Sequence, residues 1–157
     1  MTQPYKRPES VLVVVYASTG KVLLLKRADH PDFWQSVTGS MRWEEADPRL
    51  TAARELSEET GWQVAPEALH DLQQMRRFTI IAQWRVRYAP AVAHNTERAY
   101  AFGLAREETP TLAPAEHTDY AWLPFDEAKT RVASWTNRDA IEAVQQQLWR
   151  TREWTKP

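Results

Sequence analysis

The hydrophobic pattern along this chain changes period several times. Val11 to Ala17 (VLVVVYA) is an unbroken apolar run rich in β-branched residues, which predicts a strand buried on both faces. Ser18-Thr19-Gly20-Lys21 has turn composition, so Val22 to Leu25 is expected to return as a hairpin. Phe33 to Thr38 predicts a short strand entering Gly39, and a loop follows over 40 to 46. Residues 48 to 60 then switch to helical spacing. Asp47 supplies an N-cap, Pro48 a first helical position and Gly61 a left-handed stop. At 100° per residue, Leu50, Ala53, Leu56 and Thr60 gather on one side of that helix, with Glu55, Glu58 and Glu59 roughly opposite.

Further on, Trp62 to Val64 reads as a short strand and Pro66 to Leu69 as a turn or short helix. Leu72 to Tyr88 is rich in aromatic and β-branched residues and predicts two strands or one bent strand, ended by Pro90. Thr96 to Ala105 and Tyr120 to Leu123 predict further strands around a charged, proline-bearing loop. A short helix opens at Pro124, and a last helix is expected from Asn137 to Arg150, with Ile141, Val144 and Leu148 on one stripe. Residues 1 to 10 are polar and are expected to be loose. The sum is an α+β fold, a mixed sheet packed between helices, in one domain over residues 1–157.

Composition narrows the chemistry. A formal net charge of −1 gives no basic footprint, so neither nucleic acid nor an acidic membrane surface is an expected partner. Val11 to Ala17 is too short to cross a bilayer and no secretory pattern precedes it, so a cytoplasmic protein is expected. With no cysteine, thiol nucleophiles and Cys-bound zinc are excluded. The chain has only four glycines and neither Gly-rich phosphate-binding motif, so any phosphate chemistry must rest on metal ions and cationic side chains.

That points back to Arg54-Glu55-Leu56-Ser57-Glu58-Glu59. Like charges at i, i+3 and i+4 cost about 0.2–0.5 kcal/mol per pair on an exposed helix, whereas a hard divalent cation reverses the sign. By itself such a run is more often a solvated acidic face than a metal site. Its surroundings decide otherwise. Gly39, Glu45, Arg54-Glu55, Leu56, Glu58-Glu59, Gly61 and Trp62 resemble the Nudix hydrolase box, G-x5-E-x7-R-E-U-x-E-E-x-G-U, U being aliphatic or aromatic. The second half matches throughout. The first half has eight residues between Glu45 and Arg54 where the pattern has seven, and we place the extra one in the loop before Asp47. This leaves Glu45 and its neighbour Glu44 as competing matches.

The flanking segments Tyr5 to Pro8, Asp32 to Ser40, Arg87 to Pro90, Asn95 to Glu97, Glu116-His117 and Ser134 to Arg138 resemble the bacterial Nudix subfamily that hydrolyses dihydroneopterin triphosphate in folate synthesis. The resemblance implies a Mg²⁺-dependent (or Mn²⁺-dependent) pyrophosphohydrolase yielding dihydroneopterin monophosphate and pyrophosphate. It implies metal binding by Glu55, Glu58, Glu59, Glu116 and the Gly39 carbonyl, with Arg54 orienting the glutamates. It assigns the general base to Glu116, with Glu97 as the competitor. For the substrate, a small-molecule triphosphate, it points to Lys6, Lys26, Thr38, Phe78, Thr79, Ile80, Ile81, His117 and Ser134. Each has a plainer reading: Lys6 and Lys26 as surface charges, Phe78 as core, Ser134 as a helix cap, His117 as a loop histidine without a role. The rival functions are a Nudix pyrophosphatase for (deoxy)nucleoside triphosphates and a non-catalytic nucleotide-binding Nudix module.

Overall fold

The computed structural model describes residues 4–149, so the tail from Arg150 onward, including Trp154, lies outside the described residues. Among the described residues seven strands form one mixed sheet: β1 (Glu9–Ala17), β2 (Lys21–Arg27), β3 (Trp34–Gln35), β4 (Val37–Ser40), β5 (His70–Thr79), β6 (His94–Leu104) and β7 (His117–Pro124). The main path runs β3-β2-β1-β6-β5, with β4 also pairing β1 and β7 also pairing β2. Helix α1 (Pro48–Thr60) covers one face, and α2 (Phe125–Arg131) with α3 (Trp135–Val144) covers the other.

Strand β1 is the spine, parallel to β6 from Glu9 to Ala17 and buried on both faces as its composition requires. Val11, Val13 and Val15 face α1 together with Leu23 and Leu56, whereas Leu12, Val14 and Tyr16 face α3 together with Phe125 and Ile141. The expected hairpin exists but opens at once. β2 pairs with β1 only through Tyr16 and Ala17, while the other end of the same edge, Ser10 to Val13, pairs with β4. This splaying brings Gly39 in β4 beside the spine and under α1.

Several expectations are corrected. Trp62 to Val64 forms no strand; Trp62 and Val64 pack on the α1-side core from an irregular segment. Leu72 to Tyr88 is neither two strands nor a bent one, because β5 stops at Thr79 and Ala82–Arg87 is a 3₁₀ helix that leaves Ile81 and Val86 exposed. The last helix begins at Ser134, whose Oγ caps the Thr136 N–H, and passes into a π turn over Gln145–Trp149. Residues 4 to 8 are pinned: the Lys6 N–H donates to Arg87 O at 2.8 Å, and Arg7 reaches the carbonyls of Arg42 and Glu45.

The acidic helix also docks differently from the simple apolar-stripe reading. Leu50 is 54% exposed, while Glu55 and Glu59 are 9% and 1% exposed. The inward arc includes Thr51, Ala52, Glu55, Leu56 and Glu59, so two of the three acids belong to the buried face. Only Glu58 remains outside. A helix that turns carboxylates inward and leaves leucine in water is paying for something other than stability.

Candidate active site

The caps of α1 are those that the sequence prescribes. Asp47 accepts from the Arg49 N–H at 2.9 Å, and Gly61 takes the left-handed conformation at φ 80° while donating to Ser57 O. These local signals fix where the helix begins and ends, and so where Glu55 and Glu59 fall. Their carboxyl groups hydrogen-bond each other. Burial pushes both upward in pKa, Glu59 strongly, with the neighbouring Glu55 and Glu116 charges adding to the effect. The backbone N–H of Thr38 offsets part of this for Glu59. One Glu59 oxygen, Oε1, is buried without a partner.

Gly39 is the cradle for this pair. A Cβ placed there would lie 2.1 Å from the Glu55 carboxyl carbon. A glycine at this position permits contact between backbone and carboxylate that any side chain would block. We therefore predict that Gly39→Ala folds with its melting temperature little changed, since the obstructing group is the movable end of Glu55. Its divalent-metal affinity, read by calorimetric titration, should fall about 10–100-fold as the carboxylate is displaced. Unchanged affinity would argue against the cradle.

Arg54 binds the remaining acids. Its guanidinium forms a fork with Glu45 (Nε to Oε2 3.0 Å, Nη2 to Oε1 2.8 Å) and reaches Glu55 at 3.0 Å and Glu58 at 3.2 Å. Arg54 holds Glu45 down at a pKa of about 2, helped by the backbone N–H of Arg42. Glu45 is thus the anchor of Arg54, and Glu44 lies exposed. Glu58 sits on the outer side with Arg54 and Arg42, away from the buried pair. Glu116, exposed on the loop before β7, is close enough to raise Glu59 and to favour the charged form of Lys6. His117 is 3% exposed, 3.8 Å from Glu59 Oε1, and its pKa is pushed down to about 4, chiefly by burial, so it is neutral at pH 7.

On the other side of Gly39 opens a cavity of about 260 Å³. Lys6, Thr38, Phe78, Thr79, Ile80, Ile81 and Ser134 line it, so most of the expected substrate residues do meet. Lys26 does not. It pairs with Trp34 across β2 and β3, and its neighbour Arg27 lines the cavity instead, adjacent strand residues pointing to opposite faces. His117 is likewise absent from the cavity wall and belongs with the acids. Glu97 lines the cavity from the α3 side of the sheet, away from α1, which separates it from the acids as a base for attacking water. Glu97 is 7% exposed and burial raises its pKa to about 7.

Two cations to which the sequence assigned no role in the site, Arg27 and Arg87, join Lys6 on the wall. Asp29 holds Arg27 by a two-point contact at 2.7 and 2.8 Å and also meets Arg87 at 3.2 Å. Trp84 lies under the Arg27 guanidinium, 4.2 Å from ring centroid to Cζ, and packs edge-on against Phe33. Burial together with the charges of Arg87 and Arg27 lowers the Lys6 pKa. The doublet Arg27-x-Asp29 was the available signal, a fixed guanidinium beside the expected lysine.

Comparison with known proteins gives the same frame. The NUDIX domain family matches residues 6–144, nearly the whole described chain. This protein belongs to the NUDIX family. The dihydroneopterin triphosphate diphosphatase of Escherichia coli K12 is 45% identical over 141 residues, covering 88% of this chain and 92% of that one. The enzyme of the same name from Haemophilus influenzae is 39% identical, covering 88% and 87%. The structure of the Escherichia coli dihydroneopterin triphosphate pyrophosphohydrolase superposes with a TM-score of 0.83 at 44% identity, covering 89% of this chain and 96% of that one. NUDIX hydrolases generally use divalent metal ions. The residues here suit such an ion: two buried carboxylates, one with an unpartnered oxygen, against a glycine that leaves them room. Among the described residues no three acidic or imidazole groups close into a metal cage. An all-oxygen set suits a hard divalent cation, which takes further oxygens from substrate phosphates. No helix of the described residues is long and apolar enough to cross a membrane.

Proposed function

We propose that this NUDIX hydrolase converts dihydroneopterin triphosphate and water to dihydroneopterin monophosphate and pyrophosphate, with Mg²⁺ as its metal. The observation that carries the reading is the junction at Gly39, where a buried carboxylate pair meets a cavity with a cationic wall and an aromatic one. The 45% identity to enzymes with this activity supports the pterin as the head group.

Glu55, Glu59 and the Gly39 carbonyl would hold the cation, with Glu116 completing the set and Glu58 in reserve on the outer side. When bound, it supplies charge neutralisation for phosphate oxygens and acidifies a coordinated water. Lys6, between the acids and the cavity, receives the phosphates as a movable point charge, while Arg27 and Arg87 hold them from a pre-set position. Glu116 takes the proton of the attacking water as the bond to the leaving pyrophosphate breaks. His117, neutral beside Glu59, adds no competing positive charge. Phe78 offers a flat surface to the ring, and Ser134 retains its capping role while its side chain reaches the cavity.

The test is product analysis. Dihydroneopterin triphosphate with Mg²⁺ should give pyrophosphate and the monophosphate, and chelation should stop the reaction. A many-fold preference for dATP or dGTP would overturn the pterin assignment.

A further inference from the structure

Within that reading of the substrate, we propose that Glu97 is the residue that selects the pterin head, its carboxylate accepting paired hydrogen bonds from the ring's 2-amino group and the adjacent N–H. The argument starts from what the cavity wall lacks. Glu97 faces the cavity from β6, is 7% exposed and is hydrogen-bonded to Thr136. Two residues earlier on the same face, Asn95 is 4% exposed; its Nδ2 donates to Ser10 Oγ at 2.8 Å, while its Oδ1 is buried without a partner. This part of the wall therefore presents one acceptor without a donor, Asn95 Oδ1, on the same face as a buried carboxylate. Buried acceptors left unmade are costly, so the proper occupant brings N–H groups.

Two polar side chains that α3 and its cap bring to the wall, Asn137 and Ser134, are already committed. Asn137 donates its Nδ2 to Ser36 Oγ at 2.9 Å and accepts the Ser36 N–H at 2.8 Å, closing a pair between α3 and the sheet. Ser134 Oγ is engaged with Thr136. The cations Lys6, Arg27 and Arg87 also line the cavity, where the acids at Gly39 adjoin it, so phosphates and acceptor wall are served by different residues. A 2-amino-4-oxopyrimidine edge carries two adjacent N–H donors at the spacing of a carboxylate's oxygens, the neutral counterpart of a guanidinium fork. Adenine presents no such edge, whereas guanine shares it, so the selection made by Glu97 is against adenine-type heads. Burial keeps Glu97 near pKa 7, and paired donors from the ring would draw it to the ionised form.

The test compares the intact protein and Glu97→Gln with Mg²⁺. Both are assayed on dihydroneopterin triphosphate and dATP, and both are titrated with neopterin, which has the head group without phosphates. The glutamine keeps the shape of the side chain but turns one acceptor into a donor facing a donor. The ratio of kcat/KM for the pterin over dATP should fall about 10²-fold, expressed mainly in KM, and neopterin binding should be lost. If the wild-type protein prefers the pterin and the variant retains that preference, Glu97 is not the selector and this proposal alone fails. An equal loss on both substrates has the same meaning, since it marks a structural role. If the wild-type protein prefers dATP and does not bind neopterin, the substrate assignment fails and takes this proposal with it.

Discussion

Replacing Glu59 with glutamine should lower turnover by on the order of 10³-fold, since metal-borne stabilisation of transition-state charge is worth several kcal/mol. The same change should make the metal-free protein more stable at pH 8. Glu59 is 1% exposed and its folded-state pKa is raised by burial and by Glu55. The folded protein therefore holds a proton that the unfolded chain releases. Stability from this source is present at acid pH and is lost as pH rises from the ordinary carboxylate range to the raised folded value. Glutamine carries no such charge and escapes the loss. Urea denaturation at pH 5 and pH 8 without metal should show the wild type weakening toward pH 8 relative to the variant. Mg²⁺ should restore the wild type by binding only the folded form, with little effect on the variant. Retained turnover in Glu59→Gln would remove the acid pair from the mechanism.

Arg54→Ala should damage both stability and activity. The Arg54 and Glu45 side chains are 19% and 17% exposed, so their fork is partly buried. Breaking a buried pair costs about 3–5 kcal/mol; we expect about 2–3 here because water still reaches both groups. For a chain of this size that is a fall of about 5–10 °C in Tm. Losing the cation also frees Glu58 and Glu55 to repel, and turnover should fall about 10²-fold. Arg54→Lys should recover some charge balance but not the two-point hold on Glu45. The measurement is kcat alongside thermal melting for both variants. If Arg54→Ala melts as the wild type does, the three-carboxylate clamp has no structural weight.

The sequence disclosed best what is determined locally. Val11 to Ala17 could only be a doubly buried strand, and Asp47-Pro48 with Gly61 delimit α1 through bonds within a few residues. The helix's orientation was less legible. Its acids were expected opposite the apolar side, yet Glu55 and Glu59 turn inward, since the cradle that receives them lies on another strand at Gly39. Leu72 to Tyr88 misled for a related reason. The 3₁₀ turn at Ala82–Arg87 is set by Trp84 packing on Phe33 and Arg27 and by the Arg87 carbonyl receiving Lys6, none of them local. Lys26 and Arg27 are neighbours in a strand, and only the fold decides which of two adjacent cations faces the ligand. Glu97 and Glu116 illustrate the same point. Both suit a base by composition, and the sheet puts one beside Thr136 and the other beside Glu59.

One consequence of the splayed hairpin concerns how such a protein can change. β4 lies between α1, which carries the acids, and the cavity that α3 helps to close; Gly39 adjoins both. Substitutions on the α3 side can therefore reshape the pocket without disturbing the hydrolytic groups, and an engineer seeking new substrates should randomise positions 78, 95, 97 and 134 while leaving 54 to 59 fixed.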